Sequence, residues 1–368
     1  MASEMLYPIV PVYLKEIGFS ILLIGILEGV AEFTAGFTKG YFGKQSDEKG
    51  LRLPYVKSGY FLSALSKPMM AVFTWPLWIF SARTIDRLGK GLRTAARDAL
   101  LSQQATPQTK ARVFSFHRGM DTLGAVAGPL IALVYLYYFP HQYATLFYLA
   151  FIPGLVSVGL IFLLKEQRKP VSTLGKGHFF SYLRYWKIAQ PTYKRLVAGL
   201  LVFALFNSSD VFLLLKTKAI TGSDTTTIAA YIFYNLVYAA AAYPMGILAD
   251  KMGMRKVFAA GLLVFGVVYF LFAYTSSTYG IFAAFLLYGI YAAATEGIAK
   301  AWISNLAHQE NTATALGFYS SAQSIMAFLA SSLTGLVWVT AGDQIPFLIT
   351  GAGSLFLFIY FCFGSFRS

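Results

Sequence analysis

The chain has 368 residues, of which 57% are hydrophobic, 17% aromatic and only 12% charged, against about 25% charged in an ordinary soluble domain. Basic residues outnumber acidic ones by 30 to 16, a formal charge of +14. On a soluble chain that excess points to a polyanion partner. Here apolar runs such as LVAGLLVFALF and VFAAGLLVFGVVYFLFAY extend toward the roughly 20 residues needed to cross a bilayer, so the first expectation is an all-α membrane protein. The single cysteine, Cys362, excludes an intramolecular disulfide and a thiolate metal cluster.

The first helix ends near Leu14. The stretch MASEMLYPIVPVYL holds Pro8 and Pro11 and is too short to span alone. It resembles the second half of a membrane helix, so the first span is expected to be N-terminally truncated. It lacks the basic n-region and A-x-A site of a secretory signal. Five more spans are expected near 19–42, 54–74, 76–100, 110–138 and 142–164. After a polar connector come six, near 196–216, 226–248, 256–274, 279–304, 312–339 and 344–364, making twelve.

Connectors on one side of these spans (44–52, 93–112, 165–195, 251–256 and the C-terminus) hold 19 Lys/Arg, eight of them between Lys165 and Arg195. The opposite connectors hold Lys15, Lys216 and Lys218. By the positive-inside rule the first set faces the cytoplasm and the C-terminus lies inside the cell (inner) membrane. The positive charge is then mainly an anchor, and no nucleic-acid partner is expected, because no stacking platform or recognition motif accompanies it.

An internal repeat divides the chain. GKQSDEKGLR (43–52) recurs as GILADKMGMR (246–255) at an offset of 203, keeping Gly43/Gly246, Asp47/Asp250, Gly50/Gly253 and Arg52/Arg255. A weaker echo at an offset of 202 sets 113–125 against 315–327 and shares Phe116/Phe318. Two echoes at nearly one offset indicate a duplicated six-helix unit. The expected division is an N-terminal half, 1–165, a basic linker, 166–195, and a C-terminal half, 196–368. Part of the aromatic linker is expected to lie as an amphipathic helix on the inner surface.

Fifteen charges fall inside the expected spans, eight basic and seven acidic. Each is costly in lipid, so they should pair or line a wet cavity. The stretch RTIDRLGKGLRTAARDAL (83–100) is the inner half of the fourth span; LGKGL within it is not a phosphate loop, since no Ser/Thr follows Lys90 and no strand precedes it. Arg83, Asp86, Arg87, Lys90 and Arg97 recur at helical spacings near one face. Equal depth on adjacent helices suggests an Arg87–Asp121 pair, with His117 and Arg118 nearby. Glu296 and Lys300 are i, i+4, a self-neutralising pair. Glu28 and Glu32 are also i, i+4 but of like sign, which resists double ionisation. Glu4, Glu28, Glu32 and Asp121 are the proton-coupling candidates. Glu4, Glu28 and Glu32 carry no evident nearby base. Arg83, Asp86, Arg87, Arg118, Asp210, Glu296 and Lys300 are the substrate-cavity candidates.

The paired G-x-x-x-D-x-x-G-x-R box resembles the signature of the major facilitator superfamily. GAVAGP (124–129), with Gly124, Gly128 and Pro129, resembles that superfamily's G-x-x-x-G-P motif, found mainly in antiporters. DRLGKGLRTAARDAL resembles a poorly characterised prokaryotic branch, which tends to have Pro where Ala96 stands. The resemblance implies two six-helix halves alternating about a midplane cavity. It also implies that Asp47 faces the start of helix 11 and Asp250 the start of helix 5, as parts of a conformational latch. Arg83 lies near the family's helix-4 arginine.

The function expected is secondary active transport of a small solute by proton-coupled exchange or efflux. The alternative is a carrier of organic anions or phosphorylated metabolites using Arg83, Arg87 and Arg118. A membrane receptor is the contrasting class. No zinc motif, nucleophile elbow or nucleotide loop supports an enzyme or a nucleotide-driven pump. No cofactor or metal is expected; the expected partners are a small-molecule substrate, protons and the lipid bilayer, around a monomer.

Overall fold

A computed structural model of the protein describes residues 2–7, 9–166 and 179–364. Its regular elements there are all helical. The chain opens with α1 (Ala2–Leu6), α2 (Ile9–Glu16), α3 (Ile21–Lys49), α4 (Leu53–Val72), α5 (Pro76–Gln103), α6 (Lys110–Tyr138) and α7 (Tyr143–Phe162). A 3₁₀ turn, Phe179–Arg184, leads into the single turn of α8 (Tyr185–Ile188). Then follow α9 (Pro191–Phe206), α10 (Val211–Thr221), α11 (Asp224–Met252), α12 (Met254–Tyr274), α13 (Thr278–Leu306), α14 (Thr312–Ala341) and α15 (Ile345–Phe363). Eight helical stretches are long and apolar enough to cross a membrane by length and composition. α5 is not among them: Arg83, Asp86, Arg87 and Lys90 crowd its middle.

Three elements depart from the sequence expectation. The first helix is two pieces, α1 and α2, and Pro8, between them, lies outside the described residues. The span expected near 196–216 breaks at Asn207–Asp210 into α9 and α10. Four consecutive short polar side chains stand at that break, residue types that offer the backbone local bonds in competition with the helix. The Ser209 hydroxyl accepts from the Val211 N–H at 3.4 Å. The repeated box is not a loop. Helix α3 continues through residue 49 and α11 through residue 252, and the chain turns only at Gly50 (φ 63°) and Gly253 (φ 97°). Both positions need a residue free to adopt positive φ.

The linker is described only at its two ends; 167–178 lies outside the described residues. Its later part is not a long amphipathic helix but a short clasp on α3. The buried Tyr182 lies where a Cβ on Gly40 would be, Phe179 stacks on Tyr41 at 4.8 Å, and Trp186 stacks on Phe318 at 5.5 Å.

The chain forms two compact units. The first takes residues up to Leu100, Gly124–Ile188 and His308–Ser321; the second takes Leu101–Leu123, Ala189–Ala307 and Ala322 onward. Within the first, Leu14, Leu27, Ile79, Leu146 and Phe147 make the apolar core. Within the second the core is aromatic: Phe265 packs on Tyr269 and Tyr291 at 4.4 and 4.5 Å, and Phe258 on Phe361 at 5.0 Å. Large apolar side chains such as Leu77, Tyr137, Phe328 and Val339 are exposed, as lipid-facing positions must be once the surrounding solvent is hydrocarbon.

Candidate functional site

The two box aspartates occupy matching sites. In the first unit Asp47, fully buried, accepts from the Thr314 N–H and hydroxyl at 2.7 and 2.8 Å, at the N-terminus of α14. In the second, Asp250, its side chain buried, accepts from the Ala111 and Arg112 N–H groups at 3.0 and 3.1 Å and from Arg112 Nε at 2.8 Å, at the N-terminus of α6. A carboxylate at a helix start meets unpaired N–H groups and the positive end of the helix dipole. The first box glycine of each repeat permits the approach. A Cβ on Gly43 would lie 2.5 Å from the Ala313 carbonyl oxygen, and one on Gly246 would lie 2.7 Å from the Arg112 Cα and 2.9 Å from the Ala111 carbonyl oxygen.

Arg112 and Thr314 were not singled out from the sequence, although the second echo contains the signal. Its offset of 202 carries Arg112 onto Thr314 and Ala111 onto Ala313. Thr314 and Arg112 each donate a backbone N–H and a side-chain group to the aspartate they face. The box arginines are less alike. Arg52 donates to Asp47 Oδ1 at 2.7 Å and to the Gln309 carbonyl at 3.2 Å, whereas Arg255 donates to the Phe361 and Cys362 carbonyls at the C-terminal end of α15. Glu166, also absent from the candidates, accepts from the Arg52 and Leu53 N–H groups at 2.8 and 2.6 Å at the start of α4. Burial pushes Asp47 up to about 6 from the ordinary 3.8, against the pull of Arg52 and Thr314.

A second constellation lies in the first unit between α3, α4 and α5. Arg83 donates from Nε and Nη2 to the two oxygens of Glu28 at 2.8 and 2.9 Å, a bidentate fork. Arg87 reaches Glu32 at 3.2 Å and Glu28 at 3.7 Å. Lys67 donates to Asp86 at 2.7 Å, with both side chains buried, and Arg83 lies 3.7 Å from the same carboxylate. Glu28 and Glu32 therefore do have bases beside them, contrary to the sequence expectation, and Arg87, expected beside Asp121, has these two carboxylates as partners. Asp121 instead lies 3.7 Å from His117 and 4.0 Å from Arg118, on its own helix. Spacing along a helix identifies neighbours on that helix; which side chains meet across helices depends on how each helix is rotated about its axis.

In the second unit Glu296 is held by the Arg118 guanidinium and by the Tyr238 hydroxyl at 2.9 Å. The sequence places Lys300 beside Glu296 on its own helix; these two partners reach it from neighbouring helices. Tyr288 donates to Asp210 Oδ1 at 2.6 Å, at the break between α9 and α10. The three arginines expected to offer their forks to an anion, Arg83, Arg87 and Arg118, are each held by a carboxylate. Gly124, Gly128 and Pro129 lie in α6, with Pro129 inside the helix. Glu4 lies in α1. Among the described residues no group of three or more His, Cys, Asp and Glu side chains is placed to hold a metal.

These features define a helical membrane protein with an internally repeated helix-start clamp. The family model described as Major Facilitator Superfamily matches residues 1–232 and 196–367, and the chain belongs to that superfamily. It is accordingly a multi-pass membrane protein and a secondary transporter of small molecules, not an enzyme. It is 30% identical over 344 residues to an uncharacterized MFS-type transporter of Methanocaldococcus jannaschii, covering 92% of this chain and 85% of that one. Its fold is similar to that of the human organic anion transporter MFSD10, with a TM-score of 0.78, 17% identity and coverage of 98% and 95%. It is likewise similar to the Escherichia coli fucose:proton symporter FucP, with a TM-score of 0.80, 13% identity and coverage of 100% and 95%.

Proposed function

We propose that the chain is a proton-coupled exporter or antiporter of a small solute, working by alternating access. In this reading it crosses the inner membrane twelve times. α1 with α2 forms the first span and α9 with α10 the seventh, and the halves 1–165 and 196–368 are joined by 166–195. The C-terminus is inside, as the 19-to-3 distribution of connector Lys/Arg requires. The box aspartates act as latches that tie the start of α14 to the N-terminal half and the start of α6 to the C-terminal half.

The observation that carries proton coupling is the Glu28–Arg83 and Glu32–Arg87 cluster. Its arginines are buried while the Glu32 side chain is 58% accessible. A carboxylate that is ion-paired yet reachable by water can take up a proton and release its arginine, so proton binding changes the contacts between α3 and α5. Acids and bases paired inside a membrane commonly mark such relays. The direction of transport, outward, rests on the resemblance of GAVAGP to the antiporter motif.

The test is flux of solute in proteoliposomes with and without an imposed pH gradient. Glu28→Gln and Glu32→Gln should each lose gradient-driven accumulation while keeping passive counterflow. Full pH-driven flux in both variants rejects the cluster as the coupling site.

A further inference from the structure

Lys90 sits in the middle of α5 and is accessible, although residues on either side of it are buried. Two glycines explain this. A Cβ on Gly89 would lie 2.6 Å from the Gly59 carbonyl oxygen of α4, and one on Gly91 would overlap the Thr38 hydroxyl of α3. Successive residues on a helix point about 100° apart. Close packing of Gly89 on α4 and Gly91 on α3 therefore turns Lys90 outward between them, onto the accessible face of the first unit. The G-K-G sequence is a packing device that presents a lysine.

Among the described residues the Lys90 ammonium has neither a hydrogen bond nor an ion pair. The charges that act on it are Arg87 and Arg93, of like sign, and Glu32 and Glu4, of opposite sign. Glu32 is committed to Arg87, and Glu28 to Arg83. Glu4, on α1, forms no ion pair among the described residues, and its field reaches both Lys90 and the exposed Tyr7. Lys90 and Glu4 are thus two charges of opposite sign within reach of one another's field, neither held in an ion pair among the described residues. Beside Lys90, the buried Arg87 keeps an Nε donor with no partner.

We infer that Lys90 and Glu4 are the two poles of the substrate site, and that the substrate is a small amphoteric solute. Its carboxylate or phosphate meets the Lys90 ammonium, and its cationic group meets Glu4. Such a solute neutralises both poles without adding net charge to the face. A plain anion satisfies Lys90 and leaves Glu4 facing a second negative group; a plain cation does the reverse. The assignment rests on the transporter reading above and gives that reading a substrate class.

The experiment loads proteoliposomes with a defined mixture of amino acids, amines, monocarboxylates, sugars, phosphoethanolamine and sugar phosphates, and identifies by mass spectrometry what crosses. Solutes carrying both charges should cross. Lys90→Gln and Glu4→Gln should each lower their flux about tenfold or more, the effect of losing one charge-assisted hydrogen bond, and Lys90→Arg should restore part of it. Transport confined to uncharged or singly charged solutes overturns the assignment, as does undiminished flux in both Gln variants. If the wild type moves no member of the mixture, the transporter reading itself is at fault. The substrate class is then judged by thermal shift of the detergent-solubilised chain against each component. Stabilisation by amphoteric members that disappears in Lys90→Gln upholds it, and no stabilisation by any of them rejects it.

Discussion

At the residue scale, the charges inside the helices are matched with few exceptions, and the buried box aspartate Asp47 responds to pH. Asp47 is pushed up to about 6 by burial, above its ordinary 3.8. A carboxylate whose folded-state value lies above the unfolded one contributes stability that is full below about 3.8 and is lost as pH rises through about 6. Asp47→Asn removes that dependence. The stability advantage of the wild type over this variant should shrink between pH 4 and pH 7, by on the order of 3 kcal/mol at about 1.4 kcal/mol per pH unit. Melting of the detergent-solubilised proteins across that range checks it, and an advantage that grows with pH contradicts it. Ionised Asp47 still receives Arg52 and the Thr314 N–H, so the clamp persists at neutral pH and loosens on its own titration.

At the element scale, glycines decide how closely helices approach. Gly43 and Gly246 are helical, and their role is contact: each lies under a carbonyl or Cα of the helix start that its box aspartate caps. Gly43→Ala and Gly246→Ala should each destabilise the protein by about 1–3 kcal/mol, the usual cost of overpacking a close contact. A loss of apparent melting temperature in both checks this; unchanged melting in either shows that the facing backbone yields. The equivalence of these two positions was legible in the sequence, because the Gly, Asp, Gly and Arg of the box recur in step. Their mechanical division was not. Nothing in a one-dimensional pattern separates a glycine needed for approach from one needed for positive φ, such as Gly50 or Gly253.

At the scale of the whole molecule, the two clamps make parallel contacts with different chemistry. One is completed by the box's own Arg52, and the other by Arg112 from the capped helix. Asparagine at either position keeps an acceptor oxygen and removes only the charge that faces the helix start, a change of about 0.3–1 kcal/mol. If the clamps hold one stage of an alternating cycle, Asp47→Asn and Asp250→Asn should each slow transport several-fold while expression remains near normal. Initial rates in proteoliposomes decide it, and wild-type rates in both variants remove the clamps from the cycle.

What the sequence determined by itself is what depends on composition and local order. Long apolar runs require a membrane whatever the packing, and the duplicated box with its echo marks two related halves. The same register even aligns Arg112 with Thr314. What only the tertiary structure decided is which charge meets which. Arg87 meets Glu32 and Glu28, Asp121 lies by His117 and Arg118, and Glu296 is bound by Arg118 and Tyr238. A buried charge requires a partner, but several bases stand at similar depth, and helical spacing cannot rank partners on other helices. The ranking comes from rotation and approach, set here by contacts such as Gly89 on α4 and Gly91 on α3. Those contacts turn Arg83 and Arg87 toward Glu28 and Glu32 and leave Lys90 uncommitted.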